Sequence, residues 1–347
     1  MTITAQQVKD FAKDAGADLC GIANVERFEG APEQMDPRYI FPEARSAIVI
    51  GRRIPRGVYR GIEEGTHWSN YTFYGYNRLN SLYMPKAQYE TACFIEDHGF
   101  EATPVYPGVA EAEPQHTPVR EGQPGMNVYP NIRIAGVAAG VGEMGWSKVF
   151  LTPEFGPRQR LCMILTDAEL EPDPLIEPNS ICNLCMACVD ECPGHCIPHI
   201  KEKQVVEIQI EDNTYRWGDV HMGKCTLTHH GLNKEASPFL AKDCPGLYMP
   251  VDAQECSEEE AYKLTYTVGR GTWRKTDEFP SGHVIDYAWE MLNGVGYYAV
   301  CGARGCIRAC FMSNGPAGEP DRKFKNEFRK KPMWTLSPRG EVGVKEE

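Results

Sequence analysis

Apolar and polar positions in the first half of the chain follow helical spacing in some stretches and form short continuous runs in others. Val8, Phe11, Ala12 and Ala15 recur at helical spacing, which predicts an amphipathic helix over residues 4–15 that ends at Gly16. Short apolar runs bounded by glycine or proline predict buried strands. The pattern predicts further helices at 86–98 and 131–141, and strands at 17–23, 44–51, 100–105 and 161–166.

Residues 52–84 follow neither pattern and are rich in arginine, glycine and aromatic residues. Two interpretations are open. The segment is either a long surface loop whose aromatic rings pack on the core, or one wall of a pocket for a flat organic group. The side chains concerned are Tyr59, His67, Trp68, Tyr71, Phe73, Tyr74, Tyr76 and Tyr83.

Prolines mark the main division of the chain. Pro172, Pro174 and Pro178 indicate a linker, so we divide the chain into segments 1–175, 176–315 and 316–347. Residues 106–130 are rich in Pro, Gly and Glu without periodicity, which predicts a loop. The last segment is basic and polar, and we expect it to be a solvated tail or a cover rather than a binding arm.

Residues 181–198 read ICNLCMACVDECPGHCIP and carry the most specific motif in the chain. Cys182, Cys185, Cys188 and Cys192, followed by Pro193, have the C-x2-C-x2-C-x3-C-P spacing of a bacterial ferredoxin. Three thiolates of such a run hold one [4Fe–4S] cluster, and the fourth binds a second cluster. Zinc sites usually have two short cysteine pairs with a longer spacer, so zinc and a disulfide knot are weaker alternatives.

A second cysteine group, Cys301, Cys306 and Cys310, follows near the C-terminus. In the ferredoxin pattern the last cysteine of each group binds the cluster of the other group. Cluster 1 is therefore assigned the residues Cys182, Cys185, Cys188 and Cys310. The same pattern assigns to cluster 2 the residues Cys192, Cys301 and Cys306, and leaves that cluster one ligand short. The candidates for the missing ligand are Cys196, Cys225, Cys244 and Cys256, and we prefer Cys225 because aromatic residues and histidines surround it. Cys20, Cys93 and Cys162 lie in apolar stretches and are expected in the core.

Composition narrows the classes of partner and compartment. The net charge of −12 argues against general nucleic-acid binding and against an anionic membrane surface as partner. No apolar run of about 18 residues is present, so no membrane span is expected. The N-terminal residues carry no export signal, and 14 cysteines without such a signal indicate metal ligation in a reducing compartment. We therefore expect a cytoplasmic protein.

Several stretches resemble the corrinoid-dependent reductases, which include reductive dehalogenases and epoxyqueuosine reductases. VKDFAKDAGADLCGIA and ARSAIVIG look like parts of an epoxyqueuosine reductase. PNIRIAGVAAGVGEMGWSKVFLTPEFGPRQRLCMILTD, above all its LTPEFGPR, resembles a reductive dehalogenase more specifically. The ferredoxin run, the lone Cys225 and the terminal C-x4-C-x3-C group follow in the family order, so the resemblance covers residues 5–315.

The resemblance implies an α+β fold in which residues 1–175 form a nitroreductase-like domain that binds corrinoid and substrate. Residues 176–315 would form a ferredoxin-like domain with two [4Fe–4S] clusters, with Cys225 as the missing ligand of cluster 2. The implied function is reduction of a small organic substrate, such as a halogenated aromatic molecule, by base-off cobalamin in its Co(I) state. Electrons would come through the two clusters from a low-potential donor such as a ferredoxin or flavodoxin, and a homodimer is allowed.

In dehalogenases a tyrosine supplies the proton, and a lysine or arginine roughly sixty residues later lowers the pKa of that tyrosine. Tyr74 and Arg133 have about this separation and are the candidate catalytic pair. The alternative proton donors are Tyr59, Tyr71 and Tyr76, and the alternative cation is Arg120.

The chain departs from the family pattern in three places. Phe311 follows Cys310 where the family usually has proline, and four residues separate Cys301 from Cys306 where two are common. Asn127 stands near the place of the aspartate that epoxyqueuosine reductases use as acid, which disfavours action on tRNA. Two alternatives stay open beside the dehalogenase-like reductase: an epoxyqueuosine-reductase-like enzyme, and an electron-transfer iron–sulfur protein without corrinoid.

Overall fold

The computed structural model describes residues 2–67, 70–105, 117–229, 256–261, 304–313 and 325–328, and the backbone of two short C-terminal strands. The α-helices in these ranges are α1 (Ala5–Asp14), α2 (Arg60–Glu63), α3 (Met84–Asp97), α4 (Ile132–Ala138), α5 (Ala187–Asp190), α6 (Met222–His229) and α7 (Cys306–Ser313). The strands are β1 (Leu19–Asn24), β2 (Ser46–Arg53), β3 (Ala102–Val105), β4 (Glu143–Met144), β5 (Phe150–Leu151), β6 (Gln159–Thr166), β7 (Val205–Ile210), β8 (Asn213–Gly218), β9 (Trp334–Leu336) and β10 (Val342–Val344). Short 3-10 helices span Val25–Phe28, Glu33–Met35, Pro37–Tyr39, Arg56–Tyr59 and Ile200–Glu202.

A four-stranded antiparallel sheet in the order β1–β2–β6–β3 forms the centre of the first half. Ile50 on β2 pairs with Cys20 on one side and with Cys162 on the other. Helices α1 and α3 pack on one face of the sheet with Ile48, and α4 packs on the other face with Val49. Because both faces are buried, the strands are continuous apolar runs rather than alternating ones.

The elements predicted from apolar spacing in this half are confirmed. The three predicted helices correspond to α1, α3 and α4, and the four predicted strands to β1, β2, β3 and β6. Local caps explain where two helices begin: Thr4 and Gln7 form a reciprocal capping box at α1, and the Asn131 side chain accepts from the backbone N–H groups of Arg133 and Ile134 at α4.

Residues 52–84 are not mainly a loop, although two of their aromatic rings do pack in the core as the first interpretation expected. After the 3-10 turn at Arg56–Tyr59 and helix α2, the chain winds in wide π-helical turns over Tyr71–Asn77 and Leu79–Tyr83 into α3. Tyr59 and Tyr71 are only 2% and 1% exposed, so their rings belong to the core. The π-helical turn is rare and is frequent at functional sites. Trp68 lies outside the described residues.

Residues beyond the proline-rich linker pack against the first half of the chain. Beyond it, β7 and β8 form a hairpin whose Ile210, Tyr215 and Trp217 pack into the same core as α4. In the last segment, Phe328 is buried against Arg56 and Phe311, so this part of the tail acts as a cover. No helix among the described residues is long and apolar enough to cross a membrane.

Candidate functional site

The four cysteines assigned to cluster 1 converge on one pocket. The side chains and backbone that line it belong to Gly145, Trp146, Ser147, Cys182, Leu184, Cys185, Met186, Cys188 and Cys310. We call Cys182, Cys185, Cys188 and Cys310 thiol group 1. Three of these cysteines come from one short loop, and the fourth comes from α7, more than a hundred residues later. The fold therefore brings together the ligands that the ferredoxin spacing predicted.

The loop between the first three cysteines folds tightly around this pocket. Leu184 and Met186 adopt left-handed backbone conformations, with φ of 55° and 61°, and α5 begins immediately afterwards. Residues other than glycine rarely adopt this conformation, so the surrounding contacts must hold the loop in place. Trp146 packs beside the loop, and its indole N–H donates to the carbonyl oxygen of Pro198 at 2.8 Å.

A buried carboxylate on β4 holds the start of the loop. Glu143 is 2% exposed, and its oxygens accept backbone N–H groups from Asn179 at 2.6 Å, Ile181 at 2.7 Å and Cys182 at 2.5 Å. Burial raises the pKa of Glu143, and the backbone donors oppose that rise. Glu143 thus accepts hydrogen bonds from three backbone N–H groups between residues 179 and 182, which the sharp loop would otherwise leave unpaired.

A second set of cysteines lies beside the first in one buried cluster. It comprises Cys192, Cys196, Cys225 and Cys306, which we call thiol group 2. The backbone N–H of Cys196 donates to the sulfur of Cys192 at 3.3 Å, and its side chain packs in the same cluster as Cys225. Burial raises the pKa of Cys306 well above its usual value, and the nearby thiols of both groups raise it further. These thiols belong to Cys192, Cys225, Cys188 and Cys310.

Cys301 and Cys244, two of the remaining candidate ligands, lie outside the described residues. Cys256 is buried, and its thiol donates to the carbonyl oxygen of Ser257. Cys20 and Cys162 lie in the core of the sheet, as predicted. Cys93 on α3 is half-buried.

The chemistry of these donors fits iron–sulfur clusters. Within the described ranges, no three histidine, cysteine or acidic side chains converge closely enough to share a single metal ion. A [4Fe–4S] cluster does not require that closeness, because each thiolate binds a different iron at a separate corner. Burial raises the pKa of Cys188 to about 12 and that of Cys306 well above its usual value, so iron would have to displace protons from these thiols.

Helix α7 carries cysteines of both thiol groups and is fixed to the first half of the chain by a buried ion pair. The Arg308 guanidinium donates to the Glu63 carboxylate at 2.5 and 2.8 Å, and both side chains are at most 5% exposed. At the end of the same helix, Phe311 stacks with Tyr59 at 6.3 Å between ring centroids. The thiol groups are thus held against residues 52–84, which we call the aromatic segment.

The aromatic segment surrounds one arginine that sequence reasoning missed. Arg160 on β6 donates to the carbonyl oxygen of Gly75 at 3.1 Å and to the hydroxyl of Tyr71 at 3.3 Å. Its guanidinium also lies over the ring of Tyr76, 4.5 Å from the centroid. The ring of Tyr76 contacts that of His229 on α6, one turn after Cys225. No local signal marks Arg160, because its partner Tyr71 lies 89 residues away in the chain.

The predicted catalytic pair is not joined by a hydrogen bond from Tyr74. Tyr74 is 46% exposed, and its ring packs edge-on against Phe73. Arg133 donates to the carbonyl oxygen of Lys148 at 3.0 Å. The alternative cation Arg120 is exposed in the loop after the undescribed residues 106–116. The assignment of Tyr74 and Arg133 therefore stays a prediction.

Two buried hydroxyls of the aromatic segment have no hydrogen-bond partner. They belong to Tyr59 and Thr72, which are 2% and 0% exposed. Burial raises the pKa of Tyr59 well above its usual value, so the hydroxyl stays protonated and can donate. An unpaired buried hydroxyl is costly, and the two of them together with the flanking rings fit a flat group that carries polar substituents.

Comparisons with solved structures give distant likenesses. A catabolic reductive dehalogenase shares 18% identity, with 86% of this chain and 37% of that chain covered and a TM-score of 0.47. The epoxyqueuosine reductase of Streptococcus thermophilus shares 16% identity, with 56% of this chain and 53% of that chain covered and a TM-score of 0.37. At TM-scores below 0.5, such likenesses establish neither fold nor function.

Curated sequences give a firmer relation over part of the chain. No protein-family model matches. The tetrachloroethene reductive dehalogenase of Dehalobacter restrictus is 37% identical over 84 residues, which is 23% of this chain and 15% of that protein. That of Sulfurospirillum multivorans is 38% identical over 63 residues, 18% of this chain and 13% of that protein. Over this stretch the chain is thus similar in sequence to reductive dehalogenases, which is the resemblance that its motifs predicted.

Proposed function

We propose that this chain is an oxidoreductase of the reductive dehalogenase type, acting on a small organic substrate such as a halogenated aromatic molecule. The proposal rests chiefly on one observation: the cysteines of the ferredoxin run meet those of α7 in two adjoining thiol groups. Because the match to curated relatives covers only 15% of their length, activity and substrate are proposals for this chain.

The first step in the proposal is electron delivery. We assign cluster 1 to thiol group 1, and the resemblance assigns cluster 2 to Cys192, Cys225, Cys301 and Cys306. Helix α6 carries Cys225 and, one turn later, His229 against Tyr76. Helix α7 carries Cys310 and then Phe311 against Tyr59. Both helices therefore lead from thiols to the aromatic segment, which supports passage of electrons from a ferredoxin or flavodoxin towards a substrate bound there.

The second part concerns the cofactor. Cobalamin, when bound, would supply a strongly reducing cobalt centre, and the nitroreductase-like arrangement of residues 1–175 is proposed to hold it. The unpaired hydroxyls of Tyr59 and Thr72 are the described groups that would donate to its polar substituents. The rings around them would exclude water from the reacting site, which strengthens electrostatic interactions there.

The proposed reaction also needs a residue that donates a proton to the substrate. Replacing a carbon-bound halogen by hydrogen consumes electrons and a proton and releases halide. The Tyr71 hydroxyl is held 3.3 Å from the Arg160 guanidinium. A guanidinium in this position would stabilise the phenolate that remains once the proton has been given to the substrate. We therefore rank Tyr71 with Arg160 beside the sequence-based pair Tyr74 and Arg133.

Anaerobic reconstitution with iron, sulfide and cobalamin tests the function. We expect about eight irons and about one tightly held cobalt per chain, as two [4Fe–4S] clusters and one corrinoid require. Released halide would then be measured with haloaromatic substrates. Iron at this level without retained cobalt would contradict the proposal and leave an electron-transfer protein. Retained cobalt with turnover only on an epoxyqueuosine-containing tRNA stem loop would instead support the tRNA-modifying alternative.

A further inference from the structure

The contacts of Cys196 make it the most unexpected member of thiol group 2. The resemblance places Cys301 in cluster 2, but the spacing from Cys301 to Cys306 departs from the family pattern by two residues. Cys196 lies only four residues after Cys192 and is 3% exposed. Its backbone N–H donates to the Cys192 sulfur at 3.3 Å, and its side chain packs in one buried cluster with Cys192 and Cys225.

Backbone bonds hold Cys196 in this position. Its carbonyl oxygen accepts the N–H of His221 at 2.9 Å, and the carbonyl of His221 in turn accepts the N–H of Cys225 at 3.0 Å. The loop also packs closely at Gly194, where a Cβ atom would lie 2.7 Å from the Cys196 sulfur and 2.3 Å from the Thr228 hydroxyl oxygen. Backbone hydrogen bonds and close packing thus hold Cys196 between the end of the ferredoxin run and the start of α6.

We propose that Cys196 is a ligand of cluster 2, together with Cys192, Cys225 and Cys306, in the place that the resemblance gave to Cys301. This inference rests on the proposed function only in assuming that cluster 2 forms. A cluster takes one thiolate for each of its four irons, and the four cysteines of thiol group 2 already lie in one packed cluster. Sulfur is the donor that iron–sulfur clusters take, so no other group needs to be recruited.

The test compares alanine variants of the full chain after anaerobic reconstitution, by iron content and by the electron paramagnetic resonance spectrum of the reduced protein. Cys196→Ala is expected to hold about four irons and to lose the signal of cluster 2, while Cys301→Ala keeps about eight irons. Cys162→Ala, which removes an equally buried thiol from the sheet, is the matched control and is expected to keep both clusters. Full iron in Cys196→Ala together with loss of cluster 2 in Cys301→Ala would overturn the inference.

Two further readouts separate a lost ligand from a misfolded chain and from a wrong function. The irons retained in thiol group 1 of Cys196→Ala report that the chain has folded. Cys196→Ser is expected to keep its iron with an altered spectrum of cluster 2, since a serine oxygen can replace the sulfur, and an unaltered spectrum would contradict ligation. Absence of iron from the unmodified chain would contradict the proposed function itself, whatever the role of Cys196.

Discussion

The Glu143 carboxylate is the single residue on which the geometry of the first cysteine loop depends most directly. It accepts three backbone N–H groups around Cys182 inside the protein. We expect Glu143→Ala to lower the free energy of unfolding by about 1–3 kcal/mol or more, because each buried donor left unpaired carries such a cost. Iron retained by thiol group 1 should fall as well. Urea unfolding and iron analysis measure both effects, and the exposed Glu154→Ala is the control that should change neither.

Variants of two single tyrosines distinguish the candidate proton donors. If Tyr71 with Arg160 delivers the proton, Tyr71→Phe should lower kcat for halide release by about 100-fold or more, the usual contribution of a general acid. Substrate binding, reported by KM, should change less. Tyr74→Phe removes a hydroxyl from an exposed ring of the same segment and should leave kcat unchanged. A loss of kcat in Tyr74→Phe alone would return the assignment to Tyr74.

The buried thiols of the sheet give a prediction about pH. Burial raises the pKa of Cys20 from 9.0 to about 12, and it raises the pKa of Cys162 as well. Above pH 9 the unfolded chain therefore loses protons that the folded chain keeps, so the free energy of unfolding should decrease as the pH rises beyond this value. The double variant Cys20→Ala/Cys162→Ala should weaken this dependence. An equally steep decrease in that variant, measured by denaturant unfolding across pH, would contradict the assignment.

Among the elements, α7 depends on α2 through the ion pair between Arg308 and Glu63. A buried pair costs much to desolvate, and Glu63→Gln removes the negative charge that lies 2.5 Å from the buried Arg308 guanidinium. Glu63→Gln should therefore lower the free energy of unfolding by about 3–5 kcal/mol. Glu207→Gln breaks an ion pair with Arg216 whose side chains are 52% and 61% exposed, and should cost less than about 1 kcal/mol. Similar losses in both variants, in urea, would show that α7 does not rely on this contact.

At the scale of the whole molecule, the sheet core and the thiol groups differ in what stabilises them. The sheet is held by apolar residues buried on both faces, whereas the loop around Cys182 has left-handed residues and thiols at its centre. Removing iron with a chelator should therefore speed amide exchange at residues 182–192 while β2 and β6 stay protected. Hydrogen exchange measured by mass spectrometry follows both regions in one sample. Loss of protection in β2 and β6 as well would mean that the sheet itself depends on the clusters.

Much of the fold and part of the site could be read from local patterns. Apolar spacing located α1, α3, α4 and the four strands of the sheet, because the period of burial repeats within a few residues. The ferredoxin run located three ligands of thiol group 1 for the same reason. The helical turns over residues 56–63 and 71–83 were missed, because no repeat of apolar residues marks them. Arginines and aromatic rings stabilise these turns through contacts with β6 and α7.

The sequence by itself determined three helices and the four strands of the sheet, and it showed that a run of cysteines is available to bind iron–sulfur clusters, since both follow from short-range spacing. Only the tertiary structure decided which distant residues meet. It placed Arg160 against Tyr71, Cys310 in the pocket of the first cysteine loop, and Cys196 in one cluster with Cys192 and Cys225. These contacts arise from packing across strands and between helices, where the partners' separation along the chain carries no information about their distance in space.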